Sequence, residues 1–169
     1  FTAFDVILAC SSLYHATAWG LPFTAAVNGC KMVLPCDKMD GASLQQLILT
    51  EGVTFSGGVP TIWTMYLAHL ERTGGNTGKL KQLIIGGSAV PRAMAETFQR
   101  RYGVTVRQIW GMTEMSPLGV ISTPTPKLAA EGEEIEFGGP GHAGIGKSEV
   151  EGVPEHQRHD GEPAEEAEG

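Results

Sequence analysis

Two patterns of apolar residues, short continuous runs and residues spaced by three and four, alternate along the first 117 positions of this 169-residue chain. Short apolar or β-branched runs predict buried strands. Between them, apolar residues recur at spacings of three and four, which predicts amphipathic helices. The strands are expected at residues 4–8, 31–34, 53–55, 80–85 and 104–106. The helices are expected at residues 16–28, with an alternative start at Gly20-Leu21-Pro22, and at 44–51, 61–70 and 92–102.

Capping and turn residues separate these segments. Asp40 and Ser43 supply side-chain oxygens before the helix at 44–51, and Gly29, Gly52 and Gly103 follow the ends of helices. Strand and helix therefore alternate with short connections. This order predicts an α/β fold, a mainly parallel sheet with flanking helices.

The pattern ends near Pro126. Residues 127–169 contain nine glycines, twelve acidic residues and one aromatic residue, Phe137. Such a segment buries too little apolar surface to offset the entropy lost on ordering. We therefore expect two parts: an α/β part at 1–126 and a disordered, acidic, glycine-rich tail at 127–169. The chain also starts in mid-pattern at Phe1, which suggests a piece of a longer protein.

Charge and composition exclude several classes of function. The net charge is −7, and residues 1–126 hold nine basic and seven acidic residues, so the acidity lies in the tail. No basic face is expected for nucleic acid. No apolar run approaches the roughly 20 residues of a membrane span, and no secretory signal is visible. Three cysteines without a CxxC pair favour reduced, buried thiols in a cytoplasmic protein.

Two short motifs suggest other functions. Residues 141–148 match the phosphate-loop pattern G-x-x-x-x-G-K-[ST] and would make the chain a P-loop nucleotide binder. That loop needs a buried strand before it and a helix after it, whereas acidic residues precede it and Gly152 and Pro154 follow. The turn at 86–90 nearly matches the hydrolase elbow G-x-S-x-G, but Val90 replaces its last glycine. A chance match is favoured for the first motif, and an acyl hydrolase is disfavoured by the second.

The segment 108–117, QIWGMTEMSP, carries the most chemistry. It follows a predicted strand, and ligands gather at the carboxyl ends of strands in α/β sheets. Trp110 offers a flat face for a base, and Thr113 offers a hydroxyl for a phosphate oxygen. Glu114 offers carboxylate oxygens for Mg²⁺, which binds through one or two carboxylates plus substrate phosphates. An ordinary strand-to-helix loop with a buried Trp and a capping Thr is the alternative.

Two further segments are candidate pocket walls. His15 and Trp19 share a face if their segment is helical. Residues 58–60, Gly58-Val59-Pro60, form a rigid loop by composition. Each segment alone is equally typical of ordinary structure.

Four segments in one order resemble the adenylate-forming, AMP-binding superfamily. They are YHATAWGLP at 14–22, GVPT at 58–61, GGSAVP at 86–91 and WGMTEMSP at 110–117. Their order and spacing are similar to the middle of the large N-terminal domain of an acyl-CoA synthetase. The nearest resemblance is to medium- and long-chain fatty-acyl-CoA ligases and methylmercaptopropionate-CoA ligases. It covers roughly residues 1–126.

The resemblance implies an ATP-dependent ligase of a carboxylic acid with coenzyme A, acting through an acyl-adenylate with Mg²⁺. Gly87, Ser88 and Ala89 would flank one side of the adenine. The matched nucleotide-binding and catalytic positions would be Trp110, Gly111, Met112, Thr113, Glu114 (the Mg²⁺ ligand) and His15. The acyl pocket would be formed by His15, Trp19, Gly58, Val59 and Pro60.

The chain also departs from that family. The Ser/Thr/Gly-rich phosphate loop, the ribose-binding Asp and the small C-terminal domain with its Lys are not found in it. We therefore expect an internal piece of the adenylation domain that is inactive alone. A non-catalytic module that keeps a nucleotide or acyl pocket is the alternative.

Overall fold

A computed structural model describes residues 1–123 of the chain. Six strands form one sheet in the order β2-β1-β3-β4-β5-β6. Neighbours from β2 to β5 are parallel, and β6 is antiparallel to β5. The strands are β1 Val6–Cys10, β2 Lys31–Val33, β3 Phe55–Gly58, β4 Gln82–Ile85, β5 Thr105–Gly111 and β6 Leu118–Ile121. The predicted α/β fold with a mainly parallel sheet is confirmed.

Helices cover the two faces of the sheet unequally. The helical elements are α1 Ala16–Trp19, α2 Leu21–Asn28, α3 Gly41–Glu51, α4 Pro60–Thr73 and α5 Arg92–Tyr102, followed by a 3₁₀ turn at Thr113–Met115. On one face, α3, α4 and α5 pack around buried Trp63, Tyr66 and Phe98. On the other face, α1 and α2 pack on a smaller cluster that includes Ile7, Ile84 and Ile109.

The start of the first predicted helix is wrong. The predicted helix at 16–28 is broken, because residues 16–19 form a left-handed turn with φ between 46° and 59°. Each such residue costs roughly 1–2 kcal/mol relative to a right-handed helix. The turn directs Ala18 into the core, where it is fully buried, and the Ala18 amide donates to the Ser12 carbonyl at 3.2 Å. The right-handed helix begins at Leu21, after Gly20, as the alternative start predicted.

Two predicted strands are displaced along the sequence. β1 was expected at 4–8, but Phe4 is 93% exposed and the strand runs to Cys10. β3 was expected at 53–55, with Gly57 and Gly58 in a loop, but both glycines are buried in the strand. A Cβ on Gly57 would lie 2.8 Å from Ile84 Cγ1, and one on Gly58 would lie 3.0 Å from Cys10 Cβ. These glycines therefore permit tight sheet packing, so residues 58–60 are not a loop of their own.

Other boundaries differ by smaller amounts. α3 starts at Gly41, and α4 runs from Pro60 to Thr73, since its first and last turns lack the apolar periodicity used for prediction. β2 ends at Val33, and β4 starts at Gln82. β5 runs on to Gly111, and β6 was not predicted. The predicted cap is confirmed: Asp40 Oδ1 accepts from the amides of Ala42 and Ser43 at 3.0 and 3.1 Å.

The three thiols occupy different environments. Cys10 is buried beside Ser56, and burial raises the pKa of its thiol to about 12, so it stays protonated and unreactive at neutral pH. Cys30 is half-buried and Cys36 is exposed, so the expectation that all three are buried is wrong. The prediction of buried thiols rested on the number and spacing of the cysteines. Burial of a thiol depends instead on where its strand or loop lies in the fold.

The predicted disordered tail at 127–169 and the phosphate-loop motif at 141–148 lie outside the described residues. Within residues 1–123, no helix is both long and apolar enough to cross a membrane.

β4 and β5 approach closely where β4 ends. Gly86 is buried directly after β4, and a Cβ at this position would lie 2.5 Å from Ile109 Cγ1 and 2.9 Å from the Ile109 carbonyl oxygen. One of the two obstructing atoms belongs to the backbone of β5, so a rotamer change of Ile109 cannot relieve the clash. Glycine at 86 therefore sets the distance between the loop after β4 and the end of β5.

We predict that Gly86→Ala lowers the free energy of unfolding by about 1–3 kcal/mol, the usual cost of overpacking. Urea unfolding of the whole chain measures it. Ser88→Ala, two residues along in the exposed part of the same loop, is the matched control and should change stability by less than about 0.5 kcal/mol. Equal stability of the two variants would contradict the close approach.

Candidate functional site

Four loops meet at one edge of the sheet because they follow the carboxyl ends of parallel strands. They follow β1, β3, β4 and β5, at residues 11–15, 59, 86–91 and 112–117. From β1 the chain crosses to β2 on one side, and the later strands are added on the other side. The strand order therefore reverses beside β1, and this is the place where α/β sheets bind ligands.

A depression with about 590 Å³ of empty space, including its open mouth, lies at this edge. Its floor is apolar, formed by Ile84 of β4 and Ile109 of β5. His15, Ala16 and Trp19 form one side. The left-handed turn of α1 thus places His15 and Trp19 at one depression, although the helical spacing used to predict this does not exist.

The opposite side of the depression comes from the loops after β4 and β5 and from the start of β6. It consists of Gly87, Gly111, Met112, Thr113, Pro117 and Leu118. Five predicted site residues besides His15 therefore line one depression: Trp19, Gly87, Gly111, Met112 and Thr113. Pro117 and Leu118 also line the depression, although the sequence did not predict them as pocket residues. They were missed because strand β6, which brings this segment back to β5, was not predicted.

The chain folds back on itself at Gly111. A bulge between Trp110 and Gly111 interrupts the pairing of β5 with β6. A Cβ on Gly111 would overlap the Pro117 carbonyl oxygen. The amides of Met115 and Ser116 donate to the carbonyls of Met112 and Thr113 at 3.0 and 3.1 Å, closing a tight 3₁₀ turn. This turn holds Thr113 at the depression and leaves the Glu114 carboxylate exposed.

Trp110, unlike Thr113, does not line the depression. Its side chain is 48% exposed and is not part of the lining of the depression. Gly119 of β6 lies beside it, since a Cβ there would be 2.8 Å from Trp110 Cζ3 and 2.8 Å from Met115 Sδ. The alternative interpretation of the segment, with a buried Trp, therefore does not hold for Trp110. About half of the Trp110 surface is exposed to solvent.

The other predicted residues do not line the depression. Ser88 and Ala89 are exposed in the loop after β4. Val59 lies against the same loop, because a Cβ on Gly87 would be 3.1 Å from Val59 Cγ1. Gly58 is buried at the end of β3, and Pro60 is buried in the first turn of α4. Glu114 is exposed next to Thr113, which does line the depression.

The part of the chain that the structure describes holds no cluster of three or more His, Cys, Asp or Glu side chains able to bind a metal. Glu114 is a single exposed carboxylate next to the Thr113 hydroxyl. That donor set does not suit a metal caged by protein side chains. It does suit Mg²⁺, which commonly uses one or two carboxylates and completes its shell with substrate phosphates and water.

Comparison with known proteins identifies the family. The family model for AMP-binding enzymes matches residues 1–142. A 3-methylmercaptopropionyl-CoA ligase from Ruegeria lacuscaerulensis is 43% identical over 75% of this chain and 24% of its own length. A medium-chain-fatty-acid–CoA ligase from Ectopseudomonas oleovorans is 45% identical over 73% of this chain and 22% of its length. The chain thus spans about a quarter of these relatives.

Solved structures share the fold. A fatty acyl CoA synthetase from Mycobacterium tuberculosis superposes with a TM-score of 0.66 over 72% of this chain and 24% of its own, at 21% identity. A benzoate CoA ligase from Burkholderia xenovorans gives 0.65 over 72% and 25%, at 19% identity. With a family model that matches most of its length, the chain belongs to the AMP-binding enzyme family.

Proposed function

We propose that this chain is part of the adenylation domain of an ATP-dependent acyl-CoA ligase. In that reaction a carboxylate attacks the α-phosphate of ATP, giving an acyl-adenylate and pyrophosphate. The thiol of coenzyme A then displaces AMP and gives the thioester. The observation that carries this proposal is one depression with an apolar floor, Ile84 and Ile109, and a polar rim at Gly87 and Thr113.

The proposed nucleotide subsite lies between the loops after β4 and β5. Gly87, Ser88 and Ala89 would flank one side of the adenine, with Trp110 toward the other. The exposure of residues 87–89 and the half-exposed indole of Trp110 support this assignment, because both are accessible to a ligand. Gly111 and Met112 would contact the nucleotide through their backbone, since both line the depression.

The proposed phosphate end of the site uses Thr113 and Glu114. The Thr113 hydroxyl would donate to a phosphate oxygen. Glu114 would hold Mg²⁺, which would neutralise negative charge on the phosphates. The tight turn at Thr113–Met115 supports both roles, because it fixes the backbone that carries these two adjacent polar residues. Preorganised groups of this kind stabilise a charged transition state without reorganising during the reaction.

The proposed acyl subsite uses the apolar part of the depression. His15 and Trp19 would border the acyl chain, and Gly58, Val59 and Pro60 would form the wall behind the loop at 86–91. Ile84, Ile109 and Leu118 extend this apolar lining. The relatives named above act on medium-chain fatty acids and 3-methylmercaptopropionate. We infer an aliphatic carboxylic acid as the substrate class, in the cytoplasm, with no nucleic-acid partner.

These residues alone would bind ligand without completing the reaction. The chain spans about a quarter of its relatives, and the described site offers one carboxylate and no cation at its rim. A binding module is therefore the second candidate function for the isolated chain. The phosphate-loop alternative at 141–148 involves residues outside the described part and gains no support from residues 1–123.

We predict that the isolated 169-residue chain binds AMP but forms no measurable acyl-CoA from a medium-chain fatty acid, Mg-ATP and coenzyme A. Calorimetry and a thioester assay measure the two properties on one sample. A complete ligase run in parallel is the control. Turnover in the ordinary enzymatic range of about 1–10³ per second would contradict the assignment to part of a domain.

We predict that Glu114→Gln slows adenylation about 10²–10³-fold, the cost of one preorganised electrostatic contact. The assay uses a chimera in which residues 1–123 replace the matching segment of the medium-chain ligase. Thioester formation from supplied acyl-adenylate should change little, because no pyrophosphate leaves in that step. Measuring the two half-reactions separately makes the distinction.

Glu71→Gln is the matched control. Glu71 is an exposed carboxylate near the far end of α4, with its Oε1 3.8 Å from Arg101 Nη1, and an exposed pair of this kind contributes little. That variant should leave both half-reactions unchanged. Equal losses in both half-reactions of Glu114→Gln, with a lowered melting temperature, would mean that Glu114 supports the fold instead.

A further inference from the structure

The edge of the sheet opposite the depression is where the parallel strands begin. We call it the amino edge, and it comprises the connections at 52–54, 74–81 and 103–104, each of which leads from the end of a helix into a strand. Lys79 and Lys81 lie in the connection that enters β4, and both are exposed. The amino edge therefore presents two lysines to solvent.

Backbone and side-chain contacts fix the two lysines at this edge. The Lys81 amide donates to the Thr54 carbonyl at 2.9 Å, and the Lys81 carbonyl accepts from the Thr105 amide at 2.9 Å. These bonds hold Lys81 between the start of β3 and the start of β5. The Lys79 side chain lies beside the end of α3, since a Cβ on Gly52 would be 3.8 Å from Lys79 Cδ. Both lysines are thus fixed parts of the amino edge.

The carboxylates near this edge already have partners. Glu51 pairs with Lys31, and Glu71 Oε1 lies 3.8 Å from Arg101 Nη1. Within residues 1–123, neither of the two exposed lysines forms an ion pair. A helix dipole does not explain them, because its effect falls off within the last turn and both lysines lie several residues past the end of α4. The described residues therefore leave two positive charges of the amino edge without a carboxylate.

The last described strand runs toward the amino edge. β6 is antiparallel to β5, with Ile121 opposite Ile109. The Ser122 amide donates to the Gln108 carbonyl at 2.8 Å, so this register continues one residue further. Gln108 lies three residues after Thr105, the first residue of β5. Ser122 is therefore about 10 Å from the amino edge, measured along β5 at the usual rise per residue, and the chain is directed toward that edge.

The sequence that follows has the opposite charge. Residues 127–169 hold twelve acidic and three basic residues, a net charge of −9. The first acidic group consists of Glu131, Glu133, Glu134 and Glu136. It begins eight residues after Thr123, and eight residues can span up to about 28 Å. A tether this short gives an effective concentration in the millimolar range, so a weak charge attraction is enough for association.

We propose that the amino edge is a docking surface for the acidic segment 127–169 of the same chain, with Lys79 and Lys81 as its contact points. Opposite charge and the direction of β6 support this choice of partner. The surface lies at the opposite edge of the sheet from the depression, so the inference does not depend on the proposed nucleotide site. Salt should weaken the contact, because the Debye length falls from about 10 Å at 0.1 M to about 3 Å at 1 M.

Zero-length carbodiimide cross-linking of the full 169-residue chain tests the contact, because it joins a lysine amine only to a carboxylate that touches it. Lys38, exposed in the connection that follows β2, lies toward the opposite edge and is the matched control. In low salt, cross-links from Lys79 and Lys81 to the acidic segment should exceed those from Lys38 about tenfold, and about 1 M NaCl should remove most of this excess. Mixing ¹⁵N-labelled and unlabelled chains distinguishes cross-links within one chain from those between two.

Removal of the two charges gives an independent measurement. In the double variant Lys79→Gln/Lys81→Gln, the amide NMR shifts of the first acidic group in low salt should move to the wild-type values in high salt. Lys38→Gln should leave these shifts unchanged. Unaltered amide shifts of Leu83 and Ile84 in β4 will show that the sheet is intact in the double variant.

Three results would overturn the proposal. The first is cross-linking of the acidic segment to Lys38 as often as to Lys79 and Lys81. The second is cross-linking mainly between labelled and unlabelled chains, which would make a second copy the partner. The third is a set of acidic-group shifts that is the same in the wild type and the double variant. The cross-linking results need no substitution, so they decide the matter even if the double variant does not fold.

Discussion

The parallel pairing of β4 with β5 is the constraint on which the site depends. It places the loop at 86–91 beside the turn at 111–117, and neither loop has enough apolar content to find that position alone. Gly86 permits the approach, because any larger residue would meet both the side chain and the carbonyl of Ile109. Gln108 then ties the loop at 86–91 to strand β5 through the Val90 amide. Backbone spacing is therefore set first, and the side-chain chemistry of Thr113 and Glu114 depends on it.

Much of this fold could be predicted from the spacing of apolar residues and from the capping residues between segments. Alternating strand and helix patterns gave the mainly parallel sheet, and Asp40, Gly29, Gly52 and Gly103 marked helix ends correctly. These signals are local, so one sequence contains them. The family motifs at 86–91 and 110–117 likewise named loops that do meet, since the carboxyl ends of adjacent parallel strands share one edge of the sheet.

Other features depend on tertiary contacts and had no local signal. The left-handed turn at 16–19 opposes the local preference for a right-handed helix and is retained with Ala18 in the core. The glycines of β3 resemble a loop by composition, yet they are strand residues because Ile84 and Cys10 pack against them. β6 has one β-branched pair and a glycine, too little to predict a strand, and it pairs because the turn at Gly111 brings it back to β5.

The central claim is that the loops after β4 and β5 form a nucleotide site in this chain. Titration of the isotopically labelled chain with AMP, followed by amide NMR, tests it most directly. The account predicts saturable shifts at Gly87, Ser88, Ala89 and residues 111–113, with none in β2 or along the body of α3. Shifts confined to residues outside those two loops, or no shift at millimolar AMP, would contradict it.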